Sequence, residues 1–157
     1  MVMKKLEELD QGKEQKNCFV IMPFSSTDSC TKDQWEDIFN NTIKPAVERS
    51  GFNYKCERAN SQFETIIEYI LDNLKCSDLV IADITDRNPN VLYELGVRHT
   101  LGGPVIMIAQ KEEDIPFDLL HYPYKIYGWK TNNERRKFKK EIKEAINFLE
   151  QNPHRAV

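Results

Sequence analysis

Short apolar runs alternate with longer amphipathic segments through most of the chain. Four segments have the length of a β-strand: CFVIMPF (18–24), FNYKCER (52–58), which alternates apolar and polar residues, DLVIAD (78–83) and PVIMIAQ (104–110). A short fifth strand is predicted near Lys125 to Tyr127. The first, third and fourth runs are apolar through their centres, which is typical of strands that are buried on both faces of a parallel sheet.

The segments between these runs carry apolar residues at the spacing of amphipathic helices. The pattern predicts helices over 31–51, 61–77, 88–102 and 132–150. Pro45 should split the first helix near Asn41, because proline lacks the backbone N–H that a helix interior requires. The second helix has one broad apolar face, made of Phe63, Ile66, Ile67, Ile70, Leu71 and Leu74.

Capping residues mark the ends of the predicted helices. Thr31–Gln34 and Ser61–Glu64 have the spacing of capping boxes at the first two helix starts. For the third helix, Asn88 is the expected N-cap, Pro89 the first helical residue and Gly102 the stop. These signals fix where the helices begin relative to the strands.

The order of elements is β-α-β-α-β-α-β-β-α, with an irregular loop before the last strand. This alternation predicts the α/β class, as a three-layer α/β/α domain around a five-stranded parallel flavodoxin-like sheet of order 2-1-3-4-5. A chain of 157 residues suits one domain. We expect that domain to span 17–151, after a polar tail or linker over 1–16.

Composition argues against several classes of function. The net charge of −3 lacks the basic footprint of a nucleic-acid-binding protein. The start of the chain is polar, and no apolar run approaches the roughly 20 residues that cross a membrane, so we expect no membrane partner and a cytoplasmic location. The four cysteines lack metal-ligand spacing. We therefore expect buried reduced thiols, no metal site and no cofactor.

Two polar loops follow the first and third predicted strands: PFSSTDSC (23–30) and DITDRNPN (83–90). In a sheet of order 2-1-3-4-5, the strand order reverses between strands 1 and 3. Ligands bind beyond the carboxyl ends of the strands at that point. The topology therefore places both loops at the expected ligand site.

An acidic residue, Glu94, interrupts the apolar pattern of the helix that follows the second loop. Asn90 and Arg98, four residues to either side, share its stripe of the helix. One interpretation is an ordinary surface ion pair between Glu94 and Arg98. The other is a carboxylate at the edge of a ligand cleft, where burial raises its pKa while the helix N-terminus and Arg98 lower it. Such a group is suited to act as a nucleophile or general base near neutral pH.

The loop residues also admit two interpretations. Asp83 ends a strand, where a carboxylate can bind sugar hydroxyls, whereas turn and cap chemistry is enough to explain Asn88. Ser25, Ser26 and Thr27 are either donors to a phosphate or loop residues only. The sequence has no glycine-rich phosphate loop that would favour the first interpretation.

Three longer motifs lie between the first predicted strand and the third predicted helix: FVIMPF, W-x-x-I-F-x-x-x-I-K-P-A-V-E-x-x-G and S-D-L-V-I-A-D-I-T-x-x-N-P-N-V-x-Y-E-L-G-x-R-H. Together they resemble the nucleoside 2-deoxyribosyltransferase-like group, which is structurally akin to TIR domains. The resemblance spans about residues 18–127, and N-P-N-V-L-Y-E-L-G is its most specific part. Similar modules occur in bacterial signalling and defence proteins, often fused to other domains.

The resemblance implies a role for each candidate residue. In the transferases, the glutamate of the E-L-G helix is the nucleophile, and in this sequence that role falls on Glu94. The implied substrate-binding residues are Phe24, Ser25, Ser26, Asp83, Asp86, Asn88 and Asn90. The aromatic ring would stack on the base, the serines would lie near phosphate, and the residues of the second loop would hold ribose hydroxyls or orient the glutamate.

The sequence thus predicts an enzyme that cleaves the N-glycosidic bond of a nucleotide by hydrolysis or glycosyl transfer. The substrate is NAD or a nucleoside 5′-monophosphate, so NAD would enter as a substrate and not as a cofactor. The alternatives are a non-catalytic nucleotide-binding module and a TIR-like self-assembly module of a bacterial signalling or defence system. The expected partners are a small-molecule nucleotide and either further copies of the chain or a fused or separate signalling domain.

Overall fold

One sheet of five parallel strands forms the centre of the molecule. The computed structural model describes residues 14–59 and 66–153. The strands are β1 (Lys16–Ile21), β2 (Tyr54–Arg58), β3 (Leu79–Asp83), β4 (Val105–Ala109) and β5 (Tyr124–Ile126). Their order is β2-β1-β3-β4-β5, and every neighbouring pair is parallel. The predicted class and strand order are confirmed.

Helices cover both faces of this sheet. They are α1 (Lys32–Ile38), α2 (Lys44–Glu48), α3 (Ile66–Cys76), α4 (Pro89–Leu101) and α5 (Asn132–Gln151). Side chains of α1, α2 and α5 join the core on one face, and side chains of α3 and α4 join the core on the other. The molecule therefore has the three predicted layers.

The central strands are apolar because successive residues enter opposite cores. On β3, Leu79 and Ile81 pack under α1, α2 and α5, whereas Val80 and Ala82 pack under α3 and α4. None of the four is more than 1% exposed. Burial on both faces explains why the strand reads as an unbroken apolar run.

A π-helical turn, Phe39–Ile43, separates α1 from α2. Pro45 has no N–H to donate to the carbonyl of Asn41, so the regular α-helical pattern cannot continue through this point. The N–H of Lys44 instead donates to the carbonyl of Phe39, five residues earlier. The predicted split near Asn41 is confirmed, and it takes the form of a wider turn that keeps the chain helical.

The predicted helix caps are confirmed wherever they fall on described residues. The Gln34 N–H donates to the Thr31 hydroxyl (3.2 Å), and the Thr31 N–H donates to the Gln34 side-chain oxygen (2.8 Å). Gly102 ends α4 with a φ of 79°, in the left-handed region that favours glycine. The predicted box Ser61–Glu64 and the side chains of Phe63 and Ile66 lie outside the described residues.

Two expectations about burial are wrong. On α3, Ile70 and Leu74 are buried, but Ile67 and Leu71 are 74% and 41% exposed, because the helix lies on the sheet through a narrower face than its sequence predicts. Cys76 is exposed at the last residue of α3, where we expected a buried thiol.

β1 begins and ends earlier in the sequence than predicted. β1 begins at Lys16, the last residue of the predicted tail, and residues 1–13 lie outside the described part. It ends at Ile21, so Phe24 belongs to the following loop and is only half-buried. Within the described ranges, no helix combines the length and the apolar character needed to cross a bilayer.

Candidate active site

The loops that follow β1 and β3 meet at the carboxyl edge of the sheet, as their positions predict. Asp86 joins them, because its carboxylate accepts hydrogen bonds from the Ser29 N–H (2.9 Å) and the Ser29 hydroxyl (2.5 Å). Partial burial raises the pKa of the Asp86 carboxyl, but hydrogen bonding to Ser29 and Thr27, together with the charge of Lys111, outweighs it, so the net pKa is lowered. Asp86 has a φ of 60° and Arg87 a φ of 50°, so the chain turns sharply here. Asp86 is therefore an ionised tie between the two loops.

Asp83 lies at the end of β3 and is fully buried. Its carboxylate accepts from the Thr85 N–H (3.1 Å), the Thr85 hydroxyl (2.6 Å) and the Tyr127 hydroxyl (2.5 Å). Burial raises the pKa of this carboxyl to about 6, against the lowering effect of those bonds. Asp83 does not reach the surface, so the predicted contact with sugar hydroxyls is replaced by an internal role that holds the site together.

Gln110 and Cys30 extend this network, and the sequence analysis missed both, together with Tyr127. The Gln110 N–H donates to the Thr85 hydroxyl (3.1 Å), and its side-chain amide donates to the Tyr127 hydroxyl (3.3 Å) and to Cys30 Sγ (3.5 Å). Gln110 and Tyr127 directly follow β4 and β5, so the carboxyl-edge rule could have found them. Among the described residues, no group of three or more His, Cys, Asp and Glu side chains is placed to hold a metal ion.

Asn88 caps α4, as the sequence predicts. Its side-chain oxygen accepts from the N–H groups of Asn90 (3.1 Å) and Val91 (3.2 Å). That oxygen is therefore occupied, and only the amide nitrogen of Asn88 is left to face a ligand. Asn90 is exposed at the start of the helix. Cap chemistry thus accounts for Asn88, while Asn90 remains open to solvent.

Glu94 lies in the second turn of α4, beside the face that packs on the sheet. Val91 and Leu95, which flank it, are each 1% exposed, and Glu94 is half-buried. Tyr93, the residue before Glu94, is 71% exposed. No hydrogen bond or ion pair joins the Glu94 carboxylate to any described residue. Burial raises the pKa of this carboxyl to about 7.

Arg98 is not the partner of Glu94, so the surface ion-pair interpretation is wrong. Arg98 is 2% exposed, and its guanidinium donates to the carbonyls of Leu74 (2.7 Å) and Pro104 (3.2 Å). Gly103 makes room for it, since a Cβ there would overlap the guanidinium. Arg98 therefore joins α3, α4 and the start of β4, and it does not lower the pKa of Glu94.

The ionised Glu94 carboxylate should lower the free energy of unfolding above neutral pH. Its folded-state pKa of about 7 lies above the ordinary value of 4.5, so the protonated form contributes stability that is complete below about pH 4.5 and is lost as the pH rises through 7. A pKa difference of about 2.5 (7 minus 4.5) corresponds to about 3 kcal/mol, and partial exposure reduces this to about 1 to 2 kcal/mol. We expect Glu94→Gln to raise the free energy of unfolding by that amount at pH 8.5 and to change it little at pH 5.

Urea denaturation of both proteins at the two pH values measures this difference. Glu68→Gln, at an exposed position on the neighbouring α3, is the matched control and should change stability little at either pH. A glutamine variant that is less stable than wild type at pH 8.5 would mean that the ionised Glu94 carboxylate has a stabilising partner.

A cleft of about 360 Å³ opens at the carboxyl ends of β1 and β2. The cleft is lined by the side chains of seven described residues: Phe24, Lys32, Glu36, Phe39, Asn40, Arg58 and Ala59. Phe24 also packs against the core cluster that contains Val91 and Leu95, the neighbours of Glu94. Glu94 does not line the cleft, but Phe24 belongs both to the cleft and to the edge of the core that α3 and α4 cover.

The Arg58 side chain in this cleft has unused hydrogen-bonding capacity. Its guanidinium lies over the Phe39 ring at 5.2 Å, and Nη2 lies 4.0 Å from the carboxylate of Glu36. Nη1 is buried and has no hydrogen-bond partner among the described residues. The cleft thus offers an arginine donor that none of the described residues satisfies.

The two predicted serines of the first loop lie beside this cleft and are exposed. The Ser26 hydroxyl accepts a hydrogen bond from the Lys32 N–H (3.1 Å), which ties the loop to the start of α1. Ser25 is exposed two residues after the proline that ends the apolar run. The predicted site residues are therefore gathered at one edge of the sheet, apart from Asp83, which supports them from within.

The backbone resembles solved structures of nucleoside-processing enzymes. The CMP N-glycosidase of Clostridium botulinum aligns with a TM-score of 0.58 and 19% identity, over 81% of this chain and 97% of that chain. The 2-deoxyribosyltransferase of Bacillus psychrosaccharolyticus aligns with a TM-score of 0.54 and 14% identity, over 78% and 90% of the respective chains. The chain has a nucleoside 2-deoxyribosyltransferase-like fold. This confirms the fold that the three sequence motifs imply.

The same layered arrangement also aligns with part of a larger protein. A flavoprotein from Thermotoga maritima matches with a TM-score of 0.50 and 14% identity, over 88% of this chain but 36% of that chain. No protein-family model and no curated protein matches the sequence. At these identities the likeness concerns the deoxyribosyltransferase-like fold alone, so the roles of individual residues depend on their geometry.

Proposed function

We propose that the protein breaks the N-glycosidic bond of a nucleotide with Glu94 as the nucleophile. The observation that carries this proposal is the state of the Glu94 carboxylate, which is half-buried, has no partner among the described residues and has a pKa raised to about 7. A carboxylate with only a structural role is normally paired or solvated. Two structures of the same fold, a CMP N-glycosidase and a 2-deoxyribosyltransferase, support a reaction at this type of bond.

The reaction begins when the ionised Glu94 carboxylate approaches the anomeric carbon of the sugar. As the C–N bond breaks, its electron pair leaves with the base, and the sugar becomes oxocarbenium-like. The negative carboxylate stabilises this developing positive charge. A bond between a carboxylate oxygen and the anomeric carbon then gives a glycosyl ester, and the departing base takes up a proton from solvent.

The second step restores the enzyme. Water, or an acceptor base, attacks the same carbon, breaks the ester bond and loses a proton, so that the carboxylate is released. Two successive displacements at one carbon give net retention of configuration, as in retaining glycosidases. The carboxylate must be ionised for the first step, and a pKa of about 7 keeps a substantial ionised fraction at neutral pH.

We propose a nucleoside 5′-monophosphate as the substrate. Lys32 and Arg58 in the cleft beside Phe24 supply two cations for one phosphate, and the buried Nη1 of Arg58 has no other acceptor among the described residues. Phe24 offers an aromatic face for the base, and the exposed Ser25 and Ser26 can donate to the phosphate or the sugar. The CMP N-glycosidase, whose substrate is also a nucleoside monophosphate, supports this choice.

The test is a panel of nucleosides, nucleoside 5′-monophosphates and NAD, with released base measured by chromatography. We expect one monophosphate to be cleaved at least about tenfold faster than its nucleoside at low substrate concentration. NAD in the panel distinguishes a nicotinamide-releasing enzyme. If no compound releases base, even at protein concentrations that permit self-association, the protein is better described as a nucleotide-binding module.

Two variants test the phosphate contact within the same panel. Arg58→Gln should raise KM for the monophosphate roughly tenfold and leave the reaction of the nucleoside unchanged, because it removes a charge-assisted bond that only the phosphate accepts. Lys32→Gln should have a smaller effect of the same kind. Lys75→Gln, at an exposed position on α3, removes equal charge and serves as the control. Equal losses for nucleoside and monophosphate would contradict a phosphate contact at Arg58.

A further inference from the structure

A second cleft, of about 380 Å³, lies between the π turn with α2 and the first turns of α5. This basic cleft is lined by four cationic side chains, those of Arg49, Arg135, Arg136 and Lys139, and by no acidic side chain from the described part of the chain. The chain has a net charge of −3, so this concentration of positive charge is local and does not reflect a generally basic protein. The elements that form the basic cleft cover the face of the sheet opposite to α3 and α4.

One arginine of the basic cleft is held in place by the protein. The Arg135 Nε donates to the carbonyl of Trp129 (2.8 Å), and its Nη2 lies 3.7 Å from the Asp37 carboxylate. Asp37 also accepts a hydrogen bond from the Asn41 side chain (2.6 Å). The other three cations form no ion pair with any described residue. The basic cleft therefore carries an excess of three positive charges around one fixed guanidinium.

A buried hydroxyl group gives independent evidence of a binding function. Thr42, which lines the basic cleft from the π turn, is 4% exposed, and its hydroxyl has no hydrogen-bond partner among the described residues. A threonine inside a helix usually donates to the carbonyl four residues earlier. Buried polar groups without a partner are rare and call for an explanation. An oxygen of a bound ligand in the cleft would accept this hydrogen bond.

We infer that the basic cleft binds a small molecule that carries two or more linked phosphate groups. Arginine guanidinium groups match phosphate oxygens in bidentate geometry, and three unpaired cations suit the charge of a nucleoside di- or triphosphate or a free polyphosphate. The volume is within the range of small-molecule sites, about 300 to 1,000 Å³. An extended nucleic acid would need a longer basic surface than one concave cleft. The inference is independent of the proposed function, because the sheet separates this cleft from Glu94.

Isothermal titration of the full chain at about 150 mM salt tests the inference, with tripolyphosphate, ATP, GTP and inorganic phosphate as probes. We expect tripolyphosphate or a nucleoside triphosphate to bind at least about tenfold more tightly than inorganic phosphate. If ATP or GTP binds tightly and tripolyphosphate does not, the ligand is a nucleotide. If ATP, GTP and tripolyphosphate bind equally tightly, the phosphate chain is the group that is recognised. No binding of any polyphosphate at millimolar concentration, or binding of a short oligonucleotide alone, would overturn the inference.

Variants locate the bound probe. Arg136→Gln with Lys139→Gln should weaken binding at least about tenfold, whereas Lys140→Gln with Lys143→Gln removes the same charge from α5 outside the cleft and should have little effect. Thr42→Val should weaken binding without lowering the melting temperature, because it removes a hydroxyl that bonds to no described residue of the free protein. Glu94→Gln should bind the probe like wild type. If both double variants weakened binding equally, the probe would be attracted to the whole of α5 by its charge. That result would rule out the basic cleft as the binding site.

Discussion

Glu94→Gln is expected to lower the rate of base release by about a thousandfold or more. The amide has nearly the same shape as the carboxylate but carries no negative charge, so it neither forms the glycosyl ester nor stabilises the oxocarbenium-like transition state. Single-turnover measurements with the monophosphate that proves most reactive would show this directly. The substrate should still bind, because the proposed phosphate contacts at Arg58 and Lys32 are untouched.

The expected stability of the Glu94→Gln protein allows its loss of activity to be assigned to the chemical step. The glutamine variant should be at least as stable as wild type above neutral pH, so a loss of activity cannot be ascribed to unfolding. Glu68→Gln on α3 should retain full activity. Glu94→Ala with added azide should recover base release and give a glycosyl azide of inverted configuration, because an external anion then takes the place of the missing carboxylate. Wild-type turnover by Glu94→Gln would contradict the nucleophilic role.

The fold could be predicted from the sequence because each of its signals is local. β3 is apolar on both faces because both faces are covered, Asn88 and Pro89 mark the start of α4, and Pro45 disturbs the helix at the point where it removes a donor. The alternation of strands and helices then leaves few topologies. The predicted strand order also places the two polar loops at one edge of the sheet.

The details of the site could not be predicted in this way because they depend on contacts between distant residues. Arg98 is four residues from Glu94, yet its guanidinium turns to Leu74 and Pro104, which only the packed fold brings within reach. Arg58 ends β2 in an alternating run that gives no indication of a ligand. The cleft forms where the loop after β1, α1 and the π turn come together beside this residue. Helical spacing reports which residues share a face, but not which of them bond.

The buried network at the carboxyl edge gives the second large effect. Asp83→Ala is expected to lower the free energy of unfolding by about 2 to 4 kcal/mol, because it leaves the N–H of Thr85 and the hydroxyl of Tyr127 buried without their acceptor. Urea denaturation at pH 7 measures the loss. Asp72→Ala, on the exposed surface of α3, is the matched control and should change stability by less than about 0.5 kcal/mol.

Charge and hydrogen bonding at Asp83 can be separated with two further variants. Asp83→Asn keeps one acceptor oxygen and removes the buried charge, so it should cost less than half as much as the alanine variant. Tyr127→Phe combined with Asp83→Ala should be less destabilising than the sum of the two single changes, since both remove the same hydrogen bond. Additive losses would mean that Asp83 and Tyr127 act independently.

The same variants test how the network serves the candidate active site. Thr85 is hydrogen-bonded to Asp83, and the next residue, Asp86, is hydrogen-bonded to Ser29. Loss of the Asp83 carboxylate should therefore loosen the loop that leads into α4. We expect Asp83→Ala to reduce kcat by at least about tenfold at temperatures where the variant remains folded, with little change in KM. Positioning of Glu94 would then depend on a carboxylate that never meets the substrate. An unchanged kcat in the folded variant would restrict Asp83 to a role in stability.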